Sequence, residues 1–198
     1  QNRAVTANDY KSVVYRIPSK FGKVKRCAVL QDLDSLKRNL NLYVVGENAE
    51  GKLASTNQTV KQNLKQWLAT YKMINDTIDI LDAKIFNFGI EFDIMSTEET
   101  NKFEILEKAK AALADYFEKP LEIGESIQIT DLYNVLKNVE GIADAKKIKI
   151  VNRSLSGYST YSLNLDKSMS SDGRYLYIPE TVVAELKYPD SDIKGTIR

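Results

Sequence analysis

Histidine is absent from the 198 residues, and cysteine occurs once, at Cys27. The first absence removes the commonest general base and the commonest metal ligand. A single cysteine makes an internal disulfide impossible and leaves no basis for a structural zinc site. No apolar run approaches the roughly 20 residues that a membrane-crossing helix needs, so no membrane partner is expected. Charge of one sign is missing too: 28 basic residues face 27 acidic ones, a net charge of +1. That balance argues against nucleic acid as the main partner, which calls for a concentrated basic surface. No glycine-rich loop fits the phosphate-binding or dinucleotide-binding patterns, so no cofactor is expected.

What is present is a globular composition, 43% hydrophobic and 28% charged, with tyrosine the commonest aromatic. The length suits one domain or two small ones. Beginning at Gln1 rather than Met, the chain is expected to be a piece of something longer. Its organising stretch is 77–95. There Phe86, Phe88, Ile90, Phe92 and Ile94 recur at every second position, with Asn87, Gly89, Glu91 and Asp93 between them. Strand side chains alternate faces, so this spacing predicts one apolar face to be covered and one polar face. Ile78 and Ile80 alternate in the same way, and Asp82-Ala83 is placed to turn the chain between two strands.

Upstream, Thr6 is an N-cap candidate with Asp9 three residues on, and Tyr10, Val13, Val14 and Ile17 share a helical face. Pro18 stops that helix and Phe21-Gly22 turns the chain. A strand over 24–30, apolar on both faces and therefore read as central, is followed by a polar connection over 32–39. A second strand over 42–45, ended by Gly46, and a loop over 47–54 come next. Ser55 with Gln58 fits a capping box, and Val60, Leu64, Trp67, Leu68, Tyr71 and Ile74 form a stripe of about five turns. Its apolar neighbours make Trp67 a core anchor rather than a binding platform.

Beyond the organising strands, Ser96 with Glu99 fits another capping box before Phe103, Leu106, Ala109, Ala112, Leu113, Tyr116 and Phe117. Glu104 and Lys108 stand at the favourable i,i+4 spacing. Thr130 is read as the cap of a short helix carrying Leu132, Tyr133, Leu136 and Val139, ended by Gly141 and followed by a strand over 142–151. This unit echoes the opening of the chain: a threonine, an aspartate, a tyrosine, a short helix, a glycine turn and a basic strand. The stretch 152–172, rich in Ser, Tyr, Asn and Asp, reads as a long hairpin or a loop, with its part from 154 onward a candidate contact surface. Short strands over 175–178 and 181–186 and a polar, turn-rich end complete the chain.

The chemistry-bearing groups are few. Glu91 and Asp93 form the best carboxylate pair, and the outer face of a half-exposed sheet explains them more simply than an active site. Asp190 and Asp192, with Ser191 between, offer a cation only a partial ligand set. The basic clusters Lys23, Lys25, Arg26 and Lys146, Lys147, Lys149 read as edge-strand protection. No catalytic, cofactor or metal residues are assigned.

The opening Arg3-Ala4-Val5-Thr6, then Asp9-Tyr10, a short helix and a glycine before a strand, resembles the baseplate J-like family. Its members are wedge proteins of contractile-tailed bacteriophages, T-even types among them, and of related injection machines. Val139-Glu140-Gly141-Ile142 is similar to the family's helix-ending Gly step, and 188–195, carrying Pro189-Asp190, to its late Pro-Asp segment. The family has a longer N-terminal part, so this chain matches its C-terminal portion. The resemblance implies a non-catalytic structural component of a virion tail baseplate, located in the host cytoplasm during assembly. Other wedge proteins and copies of itself would be its partners.

The element order predicts an α+β fold: a ferredoxin-like α/β sandwich over 1–150, with a mainly antiparallel sheet, and a β-rich C-terminal extension over 151–198. The rival reading is a nucleic-acid-binding ferredoxin-like module stacking bases on Phe86, Phe88 and Phe92.

Overall fold

Thr6 and Asp9 start the first helix as their spacing predicts, in a computed structural model that describes residues 3–32, 39–97, 101–154 and 156–198. The Thr6 hydroxyl accepts from the Asp9 N–H, and the Asp9 carboxylate accepts from the Thr6 N–H at 2.8 Å, a reciprocal capping box. Helix α1 (Ala7–Tyr15) buries Tyr10, Val13 and Val14. After Pro18 a short 3-10 turn, Ser19–Phe21, leads to Gly22 at φ 108°, a left-handed value that glycine adopts without strain. The chain groups into two compact units, Gln1–Lys84 and Ile85–Arg198. This boundary falls inside the organising stretch, whereas the sequence reading placed one after residue 150. The physical reason is that the strands on its two sides pair into different sheets.

In the first unit β1 (Arg26–Gln31) runs antiparallel to β2 (Asn39–Glu47), from Arg26 opposite Val45 to Gln31 opposite Leu40. Residues 33–38 of the expected connection lie outside the described residues. Strand β2 also pairs with β3 (Leu53–Ala54) and, in parallel, with β4 (Thr77–Asp82). So β2 is central and β1, expected to be central, is an edge strand among the described residues. Its low polarity has another cause. Helix α1 packs along it, and the Cys27 N–H donates to the Tyr15 hydroxyl at 3.2 Å instead of to a strand.

Helix α2 (Gln58–Ala69) is capped by Asn57, whose side chain accepts from the Thr59 N–H at 3.0 Å, and not by the expected Ser55–Gln58 box. It ends well short of the predicted stripe, and Ile74 is 84% exposed. Leu64 and Leu68 are buried against Val13, Leu42, Val44 and Ile78. Trp67 packs on the same core, meets the Tyr71 ring in a tilted contact at 5.0 Å and donates its indole N–H to the Val13 carbonyl at 2.9 Å. It is the anchor that the sequence predicts.

The second unit is built on β5 (Lys84–Ser96). Phe86, Phe88, Ile90 and Ile94 are fully buried and Phe92 nearly so. Helix α3 (Lys102–Tyr116) covers them with Ile105, Ala109 and Leu113, and α4 (Ile129–Lys137) with Ile129, Leu132 and Leu136. The α2 stripe belongs to the core of the first unit and Phe88 to that of the second. Phe103 is 73% exposed because the apolar face of α3 runs through Ile105 instead. Glu99 of the expected capping box lies outside the described residues; α3 begins behind Asn101, at φ 56°. Thr130 sits inside α4, whose N-cap is Gln128 at the end of β6 (Ile127–Gln128).

Strand β7 (Ile142–Asn152) pairs antiparallel with β5, with irregularities between Asp93 and Ile94 and between Met95 and Ser96. The stretch around 152–172 is tied down, not free. The Asn152 side chain accepts from the Leu163 N–H at 3.0 Å and donates to its carbonyl at 2.9 Å; Leu163 is buried, and a single turn, α5 (Leu165–Ser168), follows. Strand β8 (Tyr175–Leu176) pairs with β6, and β9 (Val182–Glu185) with β5. The polar end holds one turn, α6 (Pro189–Asp192), and then β10 (Ile193–Ile197), which runs parallel to β5 from Ile193 opposite Ile90 to Ile197 opposite Ile94. The fold is the expected α+β sandwich. Residues after 151 supply β9 and β10 to the second sheet, and each four-stranded sheet combines antiparallel with parallel pairing.

Candidate functional site

Of the charged residues that the sequence singles out, the polar face of the second sheet gathers Glu91, Asp93, Lys147 and Lys149. Alternation along β5 turns Glu91 and Asp93 away from the apolar core. Register then sets Glu91 between Lys194 of β10 and Lys149 of β7, and Asp93 between Thr196 and Lys147. These residues line a groove of about 350 Å³. Asp93 is engaged by the Thr196 hydroxyl at 3.2 Å and by Arg198 Nε at 3.4 Å. Lys147, Lys149 and Lys194 have no salt-bridge partner among the described residues and are exposed. Lys146, between Ala145 and Lys147 where the pairing with β5 slips by one residue, is the bulged position, consistent with edge protection.

At the end of this face the backbone of Gly89 is overlain by Arg153. A Cβ there would lie 2.6 Å from Arg153 Nε. Arg153 Nε stands 3.3 Å from Asp192 Oδ1, which also accepts from the Tyr158 hydroxyl at 2.6 Å, while Asp192 Oδ2 accepts from the Tyr188 N–H at 3.0 Å. Burial, and then the bonded Asp192 carboxylate, push the Tyr158 hydroxyl pKa up. Asp192 is 1% exposed and both its oxygens are engaged, so the Asp190-Ser191-Asp192 run is a structural tie and not a cation loop. Among the described residues no three or more His, Cys, Asp or Glu side chains group closely enough to hold a metal ion. None of their helices is long and apolar enough to cross a membrane.

The other sequence-marked groups disperse. Lys25 pairs with Glu47 at 2.9 Å and Arg26 donates to the Lys25 carbonyl at 2.7 Å, both in the first unit. Phe86, Phe88 and Phe92 are inside the second core and offer no stacking platform. The sequence reading missed the tyrosines that serve strand edges. The Ile148 N–H donates to the Tyr133 hydroxyl at 3.1 Å, as the Cys27 N–H does to Tyr15. The likeness of the two helix–Gly–strand units pairs Tyr133 with Tyr10, whose hydroxyl instead bonds Asp76, so it did not point to Tyr15.

No known family model matches the chain, and no curated protein sequence matches it. Among solved structures, a chain of the cryo-EM structure of the anti-feeding prophage baseplate, 6-fold symmetrised, is similar in fold. The match has a TM-score of 0.56 at 14% identity and covers 92% of this chain and 37% of that one, so this chain spans well under half of the other's length.

Proposed function

We propose that this chain is a structural, non-catalytic part of the baseplate of a contractile tail or related injection machine, of the wedge type, acting by assembly with neighbouring wedge proteins and with copies of itself. It resides in the tail baseplate of the particle and passes through the host cytoplasm during assembly. The observation that carries this reading is fold likeness over 92% of the chain to a chain of a baseplate structure. The Arg3-Ala4-Val5-Thr6 and Asp9-Tyr10 motif supports it independently, because in this fold it forms the capping box and first core tyrosine. The chemistry of the site agrees with assembly. The second sheet presents a charged, solvent-facing surface, and Asp93 and Asp192 are engaged by hydrogen bonds and cations. The nucleic-acid reading loses its stacking platform to burial.

The test is disruption of the gene in cells that produce the particle, followed by negative-stain electron microscopy and by tracking of a tagged copy. The expected result is loss of complete baseplates, with the tagged protein sedimenting with intact particles. Normal particles lacking the tagged protein would overturn the reading.

A further inference from the structure

We infer that the groove on the polar face of the second sheet docks an extended protein segment carrying carboxylates at alternate positions. This names the partner chemistry for the assembly role proposed above and rests on that role for the existence of a protein partner. The argument begins with charge. Four cations, Lys147, Lys149, Lys194 and Arg198, stand over two carboxylates, Glu91 and Asp93. Asp93 is already shared by Arg198 and Thr196, and Glu91 has a lysine on either side. The face therefore carries uncompensated positive charge although the whole chain is nearly neutral.

Spacing narrows the partner. Lys147 and Lys149 are two apart on one strand, so their side chains leave the same face about 6.6 Å apart. An extended segment has the same repeat, so acidic residues two apart on it meet both lysines in register. Cation-to-carboxylate contacts of this exposed kind steer and register a partner more than they tighten it, as suits a repeated contact in a larger assembly.

The test uses the 198-residue chain and a fluorescein-labelled peptide alternating threonine and glutamate. Controls are the same peptide with serine in place of glutamate, and labelled oligothymidine. Anisotropy titration is expected to show salt-sensitive binding of the acidic peptide alone. The double variant Lys149→Glu, Lys194→Glu is expected to bind it about tenfold more weakly, while Lys11→Glu, Lys20→Glu binds it as the wild type does. Thermal melts of both variants matching the wild type keep the comparison on the surface charge. Equal binding by the two double variants, no binding of the acidic peptide, or tighter binding of oligothymidine would each overturn the docking proposal. Particles that assemble normally with the Lys149→Glu, Lys194→Glu protein would overturn it as well, and would leave the assembly reading standing.

Discussion

Gly195 of β10 lies directly beneath the ring of Phe92 of β5. A Cβ built on Gly195 would overlap the ring edge and come 2.7 Å from Leu106 Cδ1 of α3. The two residues are register partners on the core side of the sheet, so the aromatic ring takes the space that any side chain at 195 would need. The backbone of Gly195 is not in the left-handed region; the glycine is there for space alone.

Gly195→Ala is accordingly expected to destabilise the protein by about 1–3 kcal/mol, the usual cost of overpacking a filled core. A urea melt measures it. Pairing it with Phe92→Leu, which opens room at the ring, should recover part of the loss. Additive losses in the double variant would separate the two sites and defeat the explanation.

Phe88→Ala should cost about 3–5 kcal/mol, because the side chain is fully buried between Phe86 and the edge-on ring of Phe117. Trp67→Phe should cost less, about 1 kcal/mol, by leaving the Val13 carbonyl without its indole donor. Because the two residues belong to different cores, the double variant should lose the sum of the two effects. Denaturant melts followed by far-ultraviolet circular dichroism and tyrosine fluorescence decide it, since Trp67 is the one tryptophan of the sequence, and a coupling above about 0.5 kcal/mol would count against separate cores.

Periodicity made the interior of each element legible and topology stayed hidden. The two-residue repeat from Phe86 to Ile94 gave the β5 core face without error, since alternation depends on local geometry alone. The same repeat continues upstream through Ile78 and Ile80, so the turn read at Asp82-Ala83 does not by itself mark the unit boundary, which falls between Lys84 and Ile85. Only pairing partners, β2 for one strand and β7 with β10 for the other, reveal it. The end of the chain misled for a related reason. Ile193, Gly195 and Ile197 alternate with polar residues over too short a span to outweigh the turn signals before them. The charged face followed the same division: Glu91 and Asp93 were visible as a pair, while the lysines of β7 and β10 around them depend on strand order.

Asp9 sets a pH dependence at the start of α1. Its carboxyl is held below the usual carboxylate range by the backbone N–H of Thr6, then by that of Val5 and by the Thr6 hydroxyl. A carboxyl whose folded pKa is lowered contributes stability above the usual carboxylate range and loses it as pH falls through that range to the folded value. Asp9→Asn should therefore flatten the acid limb of the stability curve between about pH 5 and pH 2 and leave its shape above that unchanged. Asp172, lowered by the Ser170 hydroxyl and the Arg174 N–H, has the same sign, so some slope should persist in the variant. Melts across that range, with carboxyl chemical shifts for Asp9, test it; an Asp9 titration in the ordinary range would remove the cap as the cause.

Removing residues 156–171 should collapse the second unit instead of merely trimming a contact surface. Asn87, near the start of β5 and 1% exposed, has its side-chain oxygen taken by the Ser159 N–H at 2.7 Å and its amide by Glu185 at 2.9 Å. Its carbonyl accepts from the Arg153 N–H at 3.0 Å, and Tyr158 reaches Asp192 beside it. The deletion would strip the acceptor side of that buried amide, expose the core under Leu163 and release Asp192 from its tyrosine. An unpartnered buried polar group alone costs about 1–3 kcal/mol, and the loss of Leu163 adds a cavity. The deletion protein is therefore expected to show a broad, low-temperature melt and rapid proteolysis after residue 85. Ser156→Ala and Ser162→Ala, at exposed positions of the same stretch, should melt as the wild type does. If the deletion melts like the wild type instead, the ties from Asn87, Asn152 and Asp192 hold nothing, and the stretch returns to being a free surface available for partners.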